Sequence, residues 1–199
     1  MWDERYADAF EAYGTEPNDF LREVAEGIPA GPVLCLAEGE GRNAVFLAER
    51  GHEVTGVDQS PVGLANAEGL AKERGVPLTT VVADLRDYDL GEARWAGIVS
   101  IWAHMPPEVR GPLHAACVRA LRRGGAFVLE AYTPKQIDRP GLGGPPTRAQ
   151  LPMMMTPEGL REELAGLRLE RCEEVDRDID EGRYHQGPST TVQVLAFKP

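Results

Sequence analysis

Residues 33–51 read VLCLAEGEGRNAVFLAERG. Small and branched apolar residues run without alternation to Leu36, a turn carrying Gly39 and Gly41 follows, and apolar residues at helical spacing then continue to Gly51. A short unbroken apolar run marks a strand buried on both faces, and a helix directly after it begins the first crossover of a parallel sheet. The same rhythm continues downstream. HEVTGVD and LTTVVAD read as strands two and three around the helix PVGLANAEGLAKERG, which has Ser60 as N-cap, Pro61 in its first turn and Gly75 at its end. AGIVSIWA, the helix PEVRGPLHAACVRALRRG and the strand GAFVLEAY complete the series. Strands separated by helices predict an α/β fold, a mostly parallel Rossmann-like sheet with helices on both faces and its ligands at the carboxyl ends of the strands.

Three segments lie outside this rhythm. Residues 1–30 read as a helical cap of two short helices, WDERYADAFEAY and EPNDFLREVAEG. Residues 133–156 are rich in proline and glycine and too long for an idle connection, which predicts a lid or substrate loop. After a helix PEGLREELAG, the segments LRLERCEEVDRDID and TTVQVLAFK joined by EGRYHQGPS read as a C-terminal antiparallel hairpin. At 199 residues the chain is expected to form a single domain over 1–199.

A net charge of −11 disfavours contact with nucleic acid or an anionic membrane. Cys35, Cys117 and Cys172 are widely spaced and odd in number, which fits buried thiols in a reducing, cytoplasmic setting and gives no metal-ligand pattern.

Three ligand classes use a strand, a glycine turn and a helix: nucleoside triphosphates, dinucleotides and S-adenosylmethionine. Arg42 and Asn43 follow Gly41 where a phosphate-binding loop needs lysine and serine or threonine, so that loop is excluded. A dinucleotide loop has a third glycine that is sometimes alanine, here Ala44, so charge discriminates better: its pyrophosphate would meet Glu38 and Glu40 at the helix N-terminus. Acidic residues suit the sulfonium and ammonium of S-adenosylmethionine instead. Asp58 ends strand two where a carboxylate can accept from both ribose hydroxyls, and Asp84 ends strand three within reach of an adenine amino group.

VLCLAEGEGRN, GVDQS, ADL, IVSIWAHM and LRRGGAFVLEAY, in this order over nearly the whole chain, resemble the class I S-adenosylmethionine-dependent methyltransferases. With GEGRN and EGRYH the chain looks most like the small bacterial enzymes of the tellurite-resistance type. The resemblance implies seven strands in the order 3-2-1-4-5-7-6, S-adenosylmethionine as cofactor and a small-molecule acceptor. The cofactor residues are then expected among Glu38, Gly39, Glu40, Gly41, Arg42 and Asn43 of the turn, Asp58, Gln59 and Ser60 after strand two, Asp84 and Leu85 after strand three, and Ile101 and Trp102 at strand four. Tyr13 is expected to cover the methionine portion. Two positions depart from the family: Cys35 stands where an acid is usual, and Ala37 replaces its first glycine. Glu38 and Glu40 are the candidates to supply the missing acid.

Methyl transfer needs alignment of the reactants above all, and a base only if the acceptor must lose a proton. His104, directly after strand four, is a candidate base or a cap. His185, in the hairpin, is a candidate base or acceptor ligand on the substrate side, a role that the resemblance supports. His52 reads as a surface residue and His114 as a helix residue facing solvent or packing. Tyr132, Gln136, Gly143 and Gly144 open the lid, and Met153, Met154 and Met155 offer either a soft wall or ordinary packing. Two other functions stay open on sequence: a module that binds the cofactor without catalysis, and an NAD-dependent oxidoreductase.

Overall fold

The computed structural model describes residues 2–8, 12–139, 141–144 and 147–199. Its seven strands form one sheet in the order β3-β2-β1-β4-β5-β7-β6. β1 (Pro32–Leu36), β2 (Glu53–Asp58), β3 (Thr79–Val82), β4 (Trp95–Ile101) and β5 (Leu121–Tyr132) run parallel. β7 (Gln186–Phe197) inserts antiparallel between β5 and β6 (Arg168–Asp180), as the terminal hairpin predicts. The helices are α1 (Trp2–Asp8), α2 (Asp19–Val24), α3 (Arg42–Glu49), α4 (Pro61–Arg74), α5 (Pro107–Ala120) and α6 (Pro157–Glu163).

Successive side chains of a strand point to opposite faces, so β1 divides itself between two cores. Leu34 and Leu36 join Ile98, Phe127 and Leu129 under α5 and α6, whereas Val33 and Cys35 join Val99 and Val128 under α2 and α3. Strand β4 is buried along its whole length because it lies between β1 and β5 with both faces covered.

The turn between β1 and α3 is held close to α4. Gly41 has φ +89°, and a Cβ there would come within 2.6 Å of the Ala67 Cβ, so glycine is required on conformational and steric grounds. Ser60 caps α4 by accepting from the Gly63 amide at 3.1 Å, and Gly75 closes it.

Two boundaries differ from the sequence reading. α5 ends at Ala120, and Leu121, Arg122 and Arg123 open β5 instead of extending the helix, because Leu121 pairs with Trp95 of β4. α2 starts at Asp19, with the Asn18 side chain accepting from the Leu21 amide. The first helix is described only to Asp8; its expected continuation over residues 9–11 lies outside the described residues, as do residues 140, 145 and 146 of the lid. The rest of the lid contains two 3-10 turns, Pro134–Asp138 and Arg148–Met153.

Candidate active site

A cavity of about 690 Å³ opens at the carboxyl ends of β1, β2, β4 and β5. The glycine turn and Asp58 form its floor, α1 and the segment around Tyr13 cover one side, and the lid and the hairpin loop close the other. Ala37 at the end of β1 and Trp102 at the end of β4 both have left-handed backbone, φ +50° and +57°. For a side chain of tryptophan's size that conformation costs about 1–3 kcal/mol and is kept only where its surroundings enforce it.

The turn directs its own carboxylates at its own amides. The Gly39 N–H donates to Asp58 at 2.9 Å, and the Ala44 N–H, in the first turn of α3, donates to Glu38 at 2.8 Å. A pyrophosphate would need these donors and would meet two buried acids in their place. Glu38 is also hydrogen-bonded to the Cys35 thiol, and burial raises its pKa to about 7 despite the Ala44 amide and the nearby Arg42. Burial likewise raises the pKa of Asp58, whose second oxygen accepts from the Ser60 N–H at 2.8 Å. Glu40 turns away toward α4, where it accepts from Asn66 at 3.2 Å. Glu38 thus lies against the Cys35 thiol, and both Glu38 and Glu40 line the cavity.

A buried ionic cluster fastens the hairpin over the turn. Glu181 accepts from Arg42 at 2.6 Å, Arg177 at 2.6 Å, Trp102 Nε1 at 2.8 Å and Asn18 at 2.9 Å. Opposing burial, the two arginines hold its pKa down to about 2. Glu130 of β5, fully buried, accepts from the same Arg177 and Asn18 and from Thr191 and Gln193. Four donors around each carboxylate satisfy it, the condition under which buried charge is tolerated.

Above the cluster the walls are aromatic. Trp102 stacks on Tyr132 with centroids 4.5 Å apart, Tyr132 stacks on His185 at 5.4 Å, and Tyr13 meets His185 edge-on at 4.9 Å. The His104 Nδ1 lies 3.1 Å from the Trp102 carbonyl, which can only accept, while Nε2 lies 2.9 Å from the Tyr132 N–H, which can only donate. His104 is thus a neutral Nδ1–H ring with both nitrogens committed to backbone, and burial lowers its pKa to about 4. It lines the cavity in the expected place, but its bonding is that of the cap alternative and leaves no free lone pair for a base. His185 is different. Its Nδ1 lies 2.9 Å from the Tyr132 hydroxyl, and Nε2 has no hydrogen-bond partner among the described residues. Burial first, and then Arg42, lower its pKa to about 3, so the ring is neutral.

With this geometry in view, residues 33–125 match the family described as a methyltransferase domain. The chain is 32% identical over 134 residues to a 2-heptyl-1-hydroxyquinolin-4(1H)-one methyltransferase of Mycobacteroides abscessus, a match covering 64% of this chain and 59% of that protein. The chain thus spans about three fifths of that curated relative. Among solved structures it is similar to TehB from Haemophilus influenzae, with TM-score 0.77, 16% identity, and coverage of 100% of this chain and 68% of that one. It is also similar to a TehB-like SAM-dependent methyltransferase from Corynebacterium glutamicum, with TM-score 0.62, 24% identity, and coverage of 100% and 94%. At these identities the structural likeness shows the fold, the one that the sequence reading expected.

The cavity gathers most of the residues singled out from sequence: Tyr13, Glu38, Gly39, Glu40, Arg42, Asn43, Asp58, Gln59, Asp84, Leu85, Ile101, Trp102, His104 and His185 all line it. Gly41 and Ser60 instead shape the turn and cap α4 from behind. Asp84 is exposed at the rim, where it accepts from the Arg86 N–H at 2.9 Å and so also serves as a turn cap. Met153 and Met154 reach the cavity, whereas Met155 belongs to the core. His114 is buried against Glu163 at 2.6 Å, far from solvent, and His52 is half-buried instead of exposed. Sequence reasoning missed Tyr6, whose ring covers Gly39 and Gly63, and Glu181, whose only signal was its place at the head of the EGRYH element. Among the described residues no group of three or more His, Cys, Asp or Glu side chains is placed to hold a metal, and no helix is long and apolar enough to cross a membrane.

Proposed function

We propose that the protein is an S-adenosylmethionine-dependent methyltransferase acting on a planar small molecule with an acidic hydroxyl, and that residues 1–199 work as one cytoplasmic unit. The observation that carries the cofactor assignment is the occupation of the Gly39 and Ala44 amides by the protein's own Asp58 and Glu38. That arrangement leaves a negative cradle at the helix N-terminus. It suits a sulfonium and an ammonium and opposes the pyrophosphate of NAD. Asp58 retains acceptor capacity for a ribose, since a carboxylate has about four lone-pair sites and the Gly39, Ser60 and Gln59 amides leave one open.

Bound S-adenosylmethionine supplies a methyl group already activated by its sulfonium. The chain contributes alignment and exclusion of water, which in well-oriented systems supplies on the order of 7–11 kcal/mol. Trp102, Tyr132 and Tyr13 present ring faces and edges to the acceptor side, a surface that favours a flat partner. His185 is the group able to receive the acceptor's proton. Its low proton affinity suits a hydroxyl on an electron-poor ring better than an aliphatic alcohol. The name of the M. abscessus relative, an N-hydroxyquinolone methyltransferase, supports the same acceptor class.

Calorimetry with S-adenosylhomocysteine and with NAD tests the cofactor, and labelled methyl transfer to 1-hydroxyquinolin-4(1H)-ones tests the acceptor. Tight binding of NAD alone would overturn the assignment, and cofactor binding with no transfer across an acceptor panel would favour a non-catalytic module. Met153 and Met154 at the cavity wall favour a second acceptor class, soft thiol or tellurium nucleophiles, which belongs in the same panel.

A further inference from the structure

We propose that Tyr132 is a positioning residue that fixes the tautomer of His185, holding the proton on Nδ1 so that Nε2 faces the cavity as a proton acceptor. This rests on the reading of His185 as the acceptor's base and adds the group that prepares it.

The argument counts protons. The Tyr132 hydroxyl has one proton to give and lone pairs to accept with. Its hydrogen-bond neighbours are the His185 Nδ1 at 2.9 Å and the Leu142 carbonyl at 3.4 Å. The Leu142 carbonyl can only accept. It draws the phenol proton away from His185, and the other contact is then satisfied when Nδ1 donates and the phenol oxygen accepts. A neutral imidazole protonated on Nδ1 has its lone pair on Nε2, the nitrogen without a partner among the described residues. There the proton of the acceptor's O–H can pass to Nε2 while the oxygen keeps the bonding pair for the incoming methyl carbon.

The lid delivers this acceptor. Leu142 is bridged to Gln186 at the start of β7, its N–H donating at 2.6 Å and its carbonyl accepting at 3.0 Å. Next to it, Gly143 has φ +115° and lies so close that a Cβ would come within 2.2 Å of the Tyr132 hydroxyl. Only glycine lets the backbone approach the phenol in this way.

Long-range proton–nitrogen correlation spectra of the full-length protein with ¹⁵N-labelled histidine and bound S-adenosylhomocysteine report the tautomer directly. In the wild type, His185 is expected with Nδ1 protonated and Nε2 bare. In Tyr132→Phe, an Nδ1–H left unpaired in a buried site is disfavoured on the order of tenfold, so the Nε2–H form should dominate. With 1-hydroxyquinolin-4(1H)-one as the probe acceptor, kcat should fall on the order of tenfold at nearly unchanged KM. A wild-type His185 carrying its proton on Nε2 would overturn the inference without recourse to any variant, and so would an unaltered tautomer and kcat in Tyr132→Phe. If His185→Gln retains full kcat while the wild-type spectra show Nδ1–H, the base assignment fails and the tautomer control stands.

Discussion

Replacing Glu38 by glutamine separates what the turn needs to fold from what it needs to bind. Glutamine keeps an oxygen to accept from the Ala44 N–H and fills the same volume, so the cap of α3 survives while the charge goes. The wild-type carboxyl moves from an ordinary 4.5 to about 7 on folding because burial outweighs the Ala44 amide and Arg42. A pKa raised in the folded state means that stability is fully present below pH 4.5 and is lost as pH rises toward 7, where the unfolded chain ionises Glu38 more readily. Above pH 7 the loss levels off at roughly 3 kcal/mol, the free-energy equivalent of the shift, as an upper bound. Glu38→Gln escapes it. In a protein of this size 1 kcal/mol corresponds to a Tm change of about 2–4 °C, so the variant should melt roughly 6–12 °C above the wild type at pH 8. At pH 4.5 the difference should nearly vanish. Scanning calorimetry of both proteins without cofactor at the two pH values measures this, and titration calorimetry should find binding of S-adenosylmethionine weakened in the more stable variant. A variant less stable than the wild type at pH 8 would refute the reasoning, because Glu38 would then be an ionised structural partner and not a charge held at cost for a cationic ligand.

Glu181→Gln leaves Arg42 and Arg177 short of a buried counter-charge and should lower stability by roughly 3 kcal/mol, read from the urea midpoint. The pKa values near 2 of Glu181 and Glu163 lie below their unfolded value, so their contribution is present above pH 4.5 and is lost as pH falls toward 2; circular dichroism across that window should show acid unfolding that Glu181→Gln shifts to higher pH. Gly41→Ala should destabilise by more than about 2 kcal/mol and Gly51→Ala by only about 1, since both have positive φ but only Gly41 faces Ala67. Cys35→Asp alone should be destabilising because it sets a second buried carboxyl beside Glu38, and adding Glu38→Ala should recover much of the loss; simple additivity of the two denaturation midpoints would argue against contact between these side chains.

Local chemistry was legible and long-range closure was not. The crossovers, the caps at Ser60 and Gly75, and Asp58 at a strand end all follow from patterns within about fifteen residues, and the structure agrees at each. The start of β5 was hidden because Leu121, Arg122 and Arg123 continue the helical spacing of α5; pairing with Trp95 overrides that preference. His104 showed its position but not its bonding, which depends on a backbone amide 28 residues away. Glu181 and Asn18 are 163 residues apart, and a contact across such a distance leaves no periodic trace in the chain.

Those distant contacts explain how the site tolerates its own strain. Trp102 is held at φ +57°, and its indole N–H donates to Glu181, the same carboxylate that receives Arg42 from the first turn of α3. One side chain of the hairpin thus ties the glycine turn to the aromatic wall. The EGRYH element does this with two residues on one tight turn, Glu181 fastening the cluster and His185 lining the cavity, and Gly182 between them packs on Tyr13 so closely that a Cβ there would come within 2.4 Å of the Tyr13 backbone. The hairpin that finishes the sheet therefore also joins the glycine turn to the aromatic wall, so a fault in its register is expected to disturb both sides of the cavity together.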